Sequence, residues 1–343
     1  MLNKTRGFLL VLLIVFIVLA GVIYTNYIQK NEKEKLSADE YVTITYSRNI
    51  SDDVNSPIVN EFWHYDTTTF KKTKVFETEY TSQYPLGFYD EKNKRIYYTK
   101  RLDSKNSIAG DQIFMTDLNT HRETQLTDNL FAVNNLYAVN NLVFFVAKPI
   151  GASILKLGLL NIENGEINYW GDEDKSVAAL TVDKVNKRIY LSTYSEKERK
   201  YNLLHQDGPV GQNNFKMPVH TVYETDFSFK HTKELFSEEE WIRTILTKDN
   251  YIIALSDKEF NTQEIPSNIT KYNLSDNSLS KSKWNTHRLQ VGDANYSYNG
   301  NEIFTISTIG NKRGLYSYNV KSNEFIEIFT PETGFVNNIQ VVK

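Results

Sequence analysis

Short runs of alternating hydrophobic and polar residues fill the chain after residue 40, and many of these runs end at an Asp or Asn. Alternation with a period of two is typical of half-buried β-strands. One phrase, a strand ending in Asp or Asn, a polar turn and a second short strand, recurs with its marker at Asp66, Asp117, Asn161, Asp226, Asn273 and Asn319. Apart from one interval of 65 residues, the markers are 44 to 51 residues apart. This spacing predicts the four-stranded blades of a β-propeller.

A second phrase lies upstream of the marker in two of the copies. Residues 90–97 read Asp-Glu-Lys-Asn-Lys-Arg-Ile-Tyr, and residues 183–190 read Asp-Lys-Val-Asn-Lys-Arg-Ile-Tyr. Each predicts a hairpin turn followed by a strand. Because Asp and Asn side chains accept hydrogen bonds from backbone amides shortly after them, we interpret these residues and the six markers as turn-forming rather than ligand-binding.

The two ends of the repeat region are predicted to pair with each other. The first outer hairpin is preceded by one clear strand, 41–46, so its blade lacks an innermost strand. The chain also ends with an unassigned strand, 335–342. Placing that strand in the first blade completes it and leaves no open sheet edge. The predicted fold is therefore an all-β, six-bladed propeller over residues 40–343, closed by its N- and C-terminal strands.

The N-terminus has the pattern of a membrane signal. Lys4 and Arg6 precede an apolar run at 8–24, which has the minimum length of a spanning helix. One interpretation is an uncleaved signal anchor with a cytoplasmic N-terminus at 1–7 and a charged stalk at 25–39. The alternative is a signal peptide cleaved near Ala20. Both place the propeller outside the cytoplasm, either tethered to the cell membrane by one helix or secreted.

Composition excludes several kinds of chemistry. The chain has no cysteine, which rules out disulfides, thiolate metal sites and cysteine nucleophiles. The net charge of −3 gives no basic footprint for nucleic acid, so no nucleic-acid partner is expected. No two of the six histidines have the spacing of metal ligands, and no Gly-x-Ser-x-Gly or phosphate-binding glycine loop occurs. We predict no cofactor and assign no catalytic or metal-binding residue.

The repeats resemble those of the six-bladed TolB-like propellers with WD40-like (PD40) repeats. The best match is 111–127, an aliphatic-aromatic strand, Asp, a short turn and a closing Leu-Thr. The third and fourth copies depart from the pattern, since 130–171 lacks the Asp-x-x-Asn turn and 176–236 carries an insertion. The resemblance implies a non-catalytic binding platform, since most propellers of this family have that role. The related prolyl oligopeptidase-like enzymes carry an additional catalytic domain, for which this sequence has no counterpart.

These observations leave three functional hypotheses. The favoured one is a membrane-anchored extracytoplasmic propeller that binds or scaffolds a protein or a cell-envelope component, without catalysis. The second is a lactonase-like hydrolase or lyase with a metal in the central channel, for which the candidate ligands are Asn134, Asn135, Asp183 and Asp293. The third is an accessory subunit that docks into a membrane complex through its helix.

Two departures from the repeat are either tolerated surface insertions or the places where function resides. Residues 195–219 form the longest insertion, charged at first and then rich in Gly and Asn, and 101–110 form a smaller one. The acidic run 171–174 lacks the order of a calcium-binding loop, so we interpret it as a solvated turn.

Overall fold

Six four-stranded antiparallel sheets form a ring in the part of residues 40–342 that the structure describes. The computed structural model describes residues 40–53, 55–102, 110–205, 216–257, 268–283, 293–310 and 312–342, with positions 18, 19, 21, 22 and 24 of the N-terminal segment. Contacts between the innermost strands of successive sheets arrange the sheets as propeller blades. The predicted six-bladed propeller is confirmed.

Strands are numbered along the chain. The first blade contains β1 (Tyr41–Asn49), β2 (Ile58–Asp66), β3 (Lys72–Glu79) and the last strand, β24 (Phe335–Val342). The second contains β4 (Gly87–Asp90), β5 (Arg95–Leu102), β6 (Gly110–Asp117) and β7 (Arg122–Gln125). The third contains β8 (Leu130–Val139), β9 (Leu142–Pro149), β10 (Lys156–Asn161) and β11 (Ile167–Trp170).

The fourth blade contains β12 (Lys175–Asp183), β13 (Arg188–Ser195), β14 (His220–Asp226) and β15 (Thr232–Glu238), with helix α1 (Glu196–Leu204) after β13. The fifth contains β16 (Trp241–Lys248), β17 (Tyr251–Asp257), β18 (Asn268–Asn273) and β19 (Leu279–Lys283). The sixth contains β20 (Ala294–Tyr296), β21 (Glu302–Ile309), β22 (Lys312–Asn319) and β23 (Phe325–Phe329).

Strand β24 closes the ring. It pairs antiparallel with β1, and the sheet order β24-β1-β2-β3 makes it the innermost strand of the first blade. Val336, Ile339 and Val341 of β24 are buried against the first and sixth blades. The pairing of terminal strands predicted from the sequence is therefore confirmed, and its energetic basis is both the ladder of hydrogen bonds and this apolar burial.

The six marker residues are turn caps. The side-chain oxygen of each accepts a hydrogen bond from a backbone N–H group two residues later, at 2.8 to 3.0 Å. In Asp66, Asp117 and Asp226, hydrogen bonds of this kind help to hold the pKa of the carboxyl below its usual value. The interpretation of the markers as turn-forming residues is confirmed.

The two near-identical octapeptides form the same turn. Asp90 Oδ1 accepts from the backbone N–H of Asn93 at 3.1 Å, and Asp183 Oδ1 accepts from that of Asn186 at 2.9 Å. Lys94 and Lys187, which follow, both have φ of +51°. This left-handed conformation lets each chain reverse into the next strand.

Aromatic side chains fill the space between neighbouring blades. Between the first two blades, the Phe62 ring lies 5.7 Å from that of Tyr98 and 5.9 Å from that of Phe76. Gly87 lets the sheets approach closely here, because a Cβ atom on it would lie 2.2 Å from the Phe62 ring. The many aromatic residues of the chain pack between neighbouring sheets in this way.

The two ends of the strands define two faces of the ring. One, which we call the turn face, carries the hairpins after the innermost strands, the six marker turns, and the ends of β1 and β24 at Tyr41 and Val342. The other, the connector face, carries the links between second and third strands and those between blades. Helix α1 and the ends of the smaller insertion, Leu102 and Gly110, lie on the connector face. Both insertions thus depart from the same side of the ring.

The predicted anchor, 8–24, and stalk, 25–39, lie almost entirely outside the described residues. Across the positions that are described, no helix has the length and apolar character needed to cross a membrane. Anchoring therefore stays a prediction.

Candidate functional site

A narrow channel runs along the axis of the ring. Its lining comes from the innermost strands β8, β12, β16, β20 and β24, around a cavity of about 120 Å³. Of the four channel residues proposed from the sequence, Asn134, Asn135 and Asp293 line this cavity. Asp183 does not, because its carboxylate lies at the end of β12 and accepts from Asn186 in the hairpin turn. The assignment of Asp183 to the channel was wrong.

Asp293 is the carboxylate at the channel entrance. It directly precedes β20, and its Oδ2 accepts a hydrogen bond from Asn338 Nδ2 at 2.9 Å. Burial raises the pKa of Asp293 above its usual value, while the hydrogen bonds from Asn338 and Ile339 and the charge of Arg313 act in the opposite direction. Asp293 is nevertheless exposed at the channel entrance, so contact with solvent moderates this rise in its pKa.

The channel does not bring together a dense set of metal ligands. Throughout the described part of the chain, no three His, Cys, Asp or Glu side chains converge as they would around a metal ion. The described channel lining contains Asp293, neutral side chains such as Asn134 and Asn135, and the cationic Arg243, which pairs with Asp257. The Asp and Asn side chains of this lining are oxygen donors of the type that hard cations accept, but with a single carboxylate among them.

The channel opens on the connector face into a larger cleft, which we call the mouth cleft. Its volume is about 650 Å³, and it shares Asn134 and Asp293 with the channel. The rest of its lining comes from the first, second and sixth blades: Ser47, Arg48, Asn49, Ile58, Tyr80, Gln83, Tyr84, Pro85, Leu86, Arg313, Gly334, Phe335 and Asn337. A concave site of this size can take several side chains of a ligand.

Exposed aromatic rings surround the mouth cleft. Tyr80, Tyr84 and Phe335 have 39%, 50% and 48% of their surface exposed. Ile58 is also exposed at the cleft. Large aromatic residues beside arginines are enriched where proteins bind other proteins.

The two arginines of the mouth cleft have different surroundings. Arg48 forms an ion pair with Glu61 at 2.8 Å and donates from Nη1 to two backbone carbonyls. Arg313 lies with its guanidinium carbon 4.3 Å from the centre of the Phe335 ring, and its Nε donates to Val336 O at 3.4 Å. Among the described residues, Arg313 has no ion pair. Burial lowers the pKa of Arg313, and the charge of Asp293 opposes that change.

A buried carboxylate holds the loop that carries the two tyrosines. Asp111 is fully buried, and its Oδ2 accepts from the backbone N–H groups of Gln83 at 2.9 Å and Tyr84 at 3.4 Å. Arg101 Nη1 lies 3.8 Å from Asp111 Oδ1. Burial raises the pKa of Asp111, whereas the two amides and Arg101 oppose that shift. Asp111 thereby fixes the position of Tyr84 without lining the cleft.

The longest insertion begins with an ordered helix. Ser195 caps α1 by accepting from the backbone N–H of Glu198 at 3.0 Å, and it donates to Asp174 Oδ2 at 2.7 Å. Asp174 also accepts from Lys197 N, and these bonds lower the pKa of its carboxyl. The acidic run 171–174 is therefore more than a solvated turn, because Asp174 ties it to the helix. Tyr201 and Leu204 on α1 are exposed.

The turn face has a polar pocket of about 620 Å³. His64 Nε2 lies 3.2 Å from Glu91 Oε2, and the imidazole packs at 4.7 Å from the ring of Tyr41. Tyr41 OH donates to Tyr89 O and accepts from Glu91 N. His64 thus packs within a strand-end network, as expected for a histidine without metal-ligand spacing.

The sequence did not single out the mouth cleft. Arg313 and Phe335 are about twenty residues apart in different strands, and Tyr84 lies in a loop of the second blade. Arg313 meets Phe335 only because ring closure brings the sixth blade against the closing strand, so no local sequence motif marks this contact. Phe335 could have pointed to the cleft, because it is the first residue of the terminal strand and ring closure places this residue at the end of the channel.

Comparisons with known proteins identify the fold. No family model matches the sequence, and no curated protein matches it significantly. Solved structures do match in shape. TolB from Acinetobacter baumannii matches at a TM-score of 0.55 with 13% identity, over 89% of this chain and 67% of that one.

Two further structures match over most of this chain. A chain of the nidogen/laminin complex matches at a TM-score of 0.54 with 8% identity, over 88% of this chain and 98% of that one. The tricorn protease matches at 0.52 with 13% identity, over 85% of this chain and 31% of the protease. At these identities the likeness concerns the fold alone. The resemblance found in the repeats is confirmed at that level: the chain has a six-bladed β-propeller fold, which is similar to that of TolB.

Proposed function

We propose that this protein is a non-catalytic binding module whose protein partner docks at the mouth cleft. The observation that carries the proposal is the combination in one concave site of three exposed aromatic rings and a stacked arginine, Tyr80, Tyr84, Phe335 and Arg313. Tyr, Trp and Arg are enriched among the residues that contribute most to binding at protein interfaces. Tyr buries a large area at a low cost in side-chain entropy, and Arg adds several hydrogen-bond donors in a fixed fork. Membership of a complex is also a property of one structural neighbour, the nidogen/laminin chain.

The position of the chain termini supports an anchored arrangement. The described propeller begins at Glu40 and Tyr41 on the turn face. A stalk and signal anchor before residue 40 therefore attach to the side opposite the mouth cleft. In the proposed arrangement the anchor holds the turn face towards the membrane and presents the cleft to an extracytoplasmic partner.

Site-specific photocrosslinking in cells tests this proposal. The full chain carries a photoreactive phenylalanine analogue either at Tyr84, in the cleft, or at Val185, an exposed residue on the turn face. We expect a discrete protein adduct from position 84 and not from 185, and we expect Arg313→Gln to weaken it. Identical adducts from both positions, or none from position 84, contradict docking at the cleft.

A propeller enzyme with a metal in the channel is the second candidate. It is favoured by Asp293, a carboxylate with a raised pKa that faces Asn134 and Asn135 across the channel cavity. Metal analysis of the purified chain, before and after dialysis against Ca²⁺, Mn²⁺ or Zn²⁺, tests it. Stoichiometric metal that is lost in Asp293→Ala supports the enzyme reading and contradicts the non-catalytic one.

A further inference from the structure

The guanidinium of Arg313 is held in place but forms no ion pair with a carboxylate among the described residues. The contact with the Phe335 ring and the hydrogen bond from Nε to Val336 O restrain the group. Its two Nη atoms make no hydrogen bond or ion pair with any residue that the structure describes. Asp293 is close enough to influence the pKa of Arg313, yet its carboxylate accepts from Asn338 and Ile339 instead.

An arginine in this state is suited to bind an anion. A guanidinium presents its N–H groups in a planar fork that matches the two oxygens of a carboxylate. Partial burial strengthens such a contact, since fewer water molecules compete for the donors. The energetic benefit is greatest where the arginine has already lost hydration without gaining a partner.

The rest of the mouth cleft fits a peptide that carries the anion. Beside Arg313 lie the exposed rings of Phe335 and Tyr84, which offer apolar contact to neighbouring side chains. The amide of Gln83 also lines the cleft. The second arginine, Arg48, is already paired with Glu61, which leaves Arg313 as the site for one acidic group.

We propose that the mouth cleft recognises an acidic peptide segment, with an Asp or Glu carboxylate paired to the Arg313 fork and a flanking apolar side chain on Phe335 and Tyr84. This assignment rests on the proposed function, because it names the chemistry of the partner that docks there. The carboxylate lies on the Arg313 side of the cleft, away from Asp293 at the channel entrance.

A paired peptide array tests the assignment with the purified full-length chain. Random hexapeptides with amidated C-termini are each made in two forms that differ by Glu or Gln at one position. We expect the wild-type chain to bind many Glu forms more tightly than their Gln partners, by on the order of tenfold. Arg313→Gln removes that preference, whereas Arg313→Lys keeps part of it, because a lysine retains the charge but not the fork.

The control variant is Arg122→Gln, an exposed arginine on β7 outside the cleft, which should keep the full preference. Far-UV and thermal-melt comparisons show that each variant is folded. Equal binding of Glu and Gln forms, or a preference that survives Arg313→Gln, overturns the acidic-peptide assignment but leaves peptide binding intact. If the wild-type chain retains no peptide in either form, both this assignment and the proposed function fail.

Discussion

Tyr41, the first residue of β1, lies directly opposite Val342, the last paired residue of β24, so the two ends of the propeller are neighbours in one sheet. Every blade of the ring depends on this junction, because the innermost strand of the first blade comes from the far end of the chain. Closing the ring therefore requires β1 to pair with β24, which is far away in the sequence. No hairpin between neighbouring strands can replace this pairing.

Deletion of residues 335–343 should destabilise the whole propeller. It removes β24, whose Val336, Ile339 and Val341 are buried. Each buried aliphatic side chain contributes about 1.5 to 3 kcal/mol, so the loss is a large part of a typical free energy of unfolding of about 5 to 15 kcal/mol. We expect a strongly lowered or broadened melting transition by circular dichroism. Deletion of Lys343 alone is the control, and an unchanged transition after the larger deletion argues against closure through β24.

The repeat and its closure were predictable because they depend on local chemistry. Alternation gave the strands, and an Asp or Asn such as Asp66 fixes a turn through hydrogen bonds to amides two or three residues away. The spare strand 335–342 could be placed because a propeller needs four strands in each blade. These steps use contacts within one hairpin or a count of strands.

The site required information that is not local. Asp183 is the last residue of innermost strand β12, whereas Asp293 precedes the first residue of innermost strand β20. Asp183 therefore caps a hairpin on the turn face, and Asp293 stands at the channel entrance on the connector face. Which aspartate has which role depends on strand direction relative to the ring. The pairing of Arg313 with Phe335 likewise arises when the sixth blade meets the closing strand.

His220 should make the stability of the propeller depend on pH. The imidazole is fully buried, with Nδ1 3.0 Å from Ser192 Oγ and its ring centre 5.2 Å from that of Tyr194 and 4.9 Å from that of Trp241. Burial lowers the pKa of His220 from 6.5 to about 4. Between these values the unfolded chain binds more protons than the folded one, so stability falls as the pH decreases.

By pH 4 protonation of His220 in the unfolded chain should lower the free energy of unfolding by roughly 3 kcal/mol relative to pH 7. Urea unfolding at pH 7, 5.5 and 4.5 measures it. The matched variant is His220→Gln, which cannot titrate in this range. The raised pKa values of Asp111 and Asp293 act in the opposite sense, so the decisive quantity is the difference between the two proteins. Parallel pH profiles for both contradict the assignment to His220.

Asp111 should act on the mouth cleft through the backbone it holds. In Asp111→Asn the carboxylate charge is lost, so the remaining amide oxygen accepts less strongly from the N–H groups of Gln83 and Tyr84, and the new amide nitrogen cannot accept from them at all. We expect faster hydrogen exchange at these two amides and weaker binding of peptides, with the overall melting transition changed little. Asp172→Asn, in the exposed acidic run, is the control. Unchanged exchange at residues 83 and 84 shows that the loop is held by other contacts.

Asp293 should weaken the binding of acidic peptides, because its charge lies near Arg313. Asp293→Asn removes the charge, and the amide oxygen can still accept from Asn338 Nδ2. We expect this variant to bind a Glu-containing hexapeptide about two- to tenfold more tightly at pH 7, measured by fluorescence anisotropy. The wild-type affinity should approach that of the variant as the pH falls, since the raised pKa of Asp293 lets it lose its charge at a higher pH than an ordinary aspartate does. The Gln-containing peptide is the control and should respond to neither change. Weaker binding in Asp293→Asn instead places Asp293 in direct contact with the ligand as an acceptor.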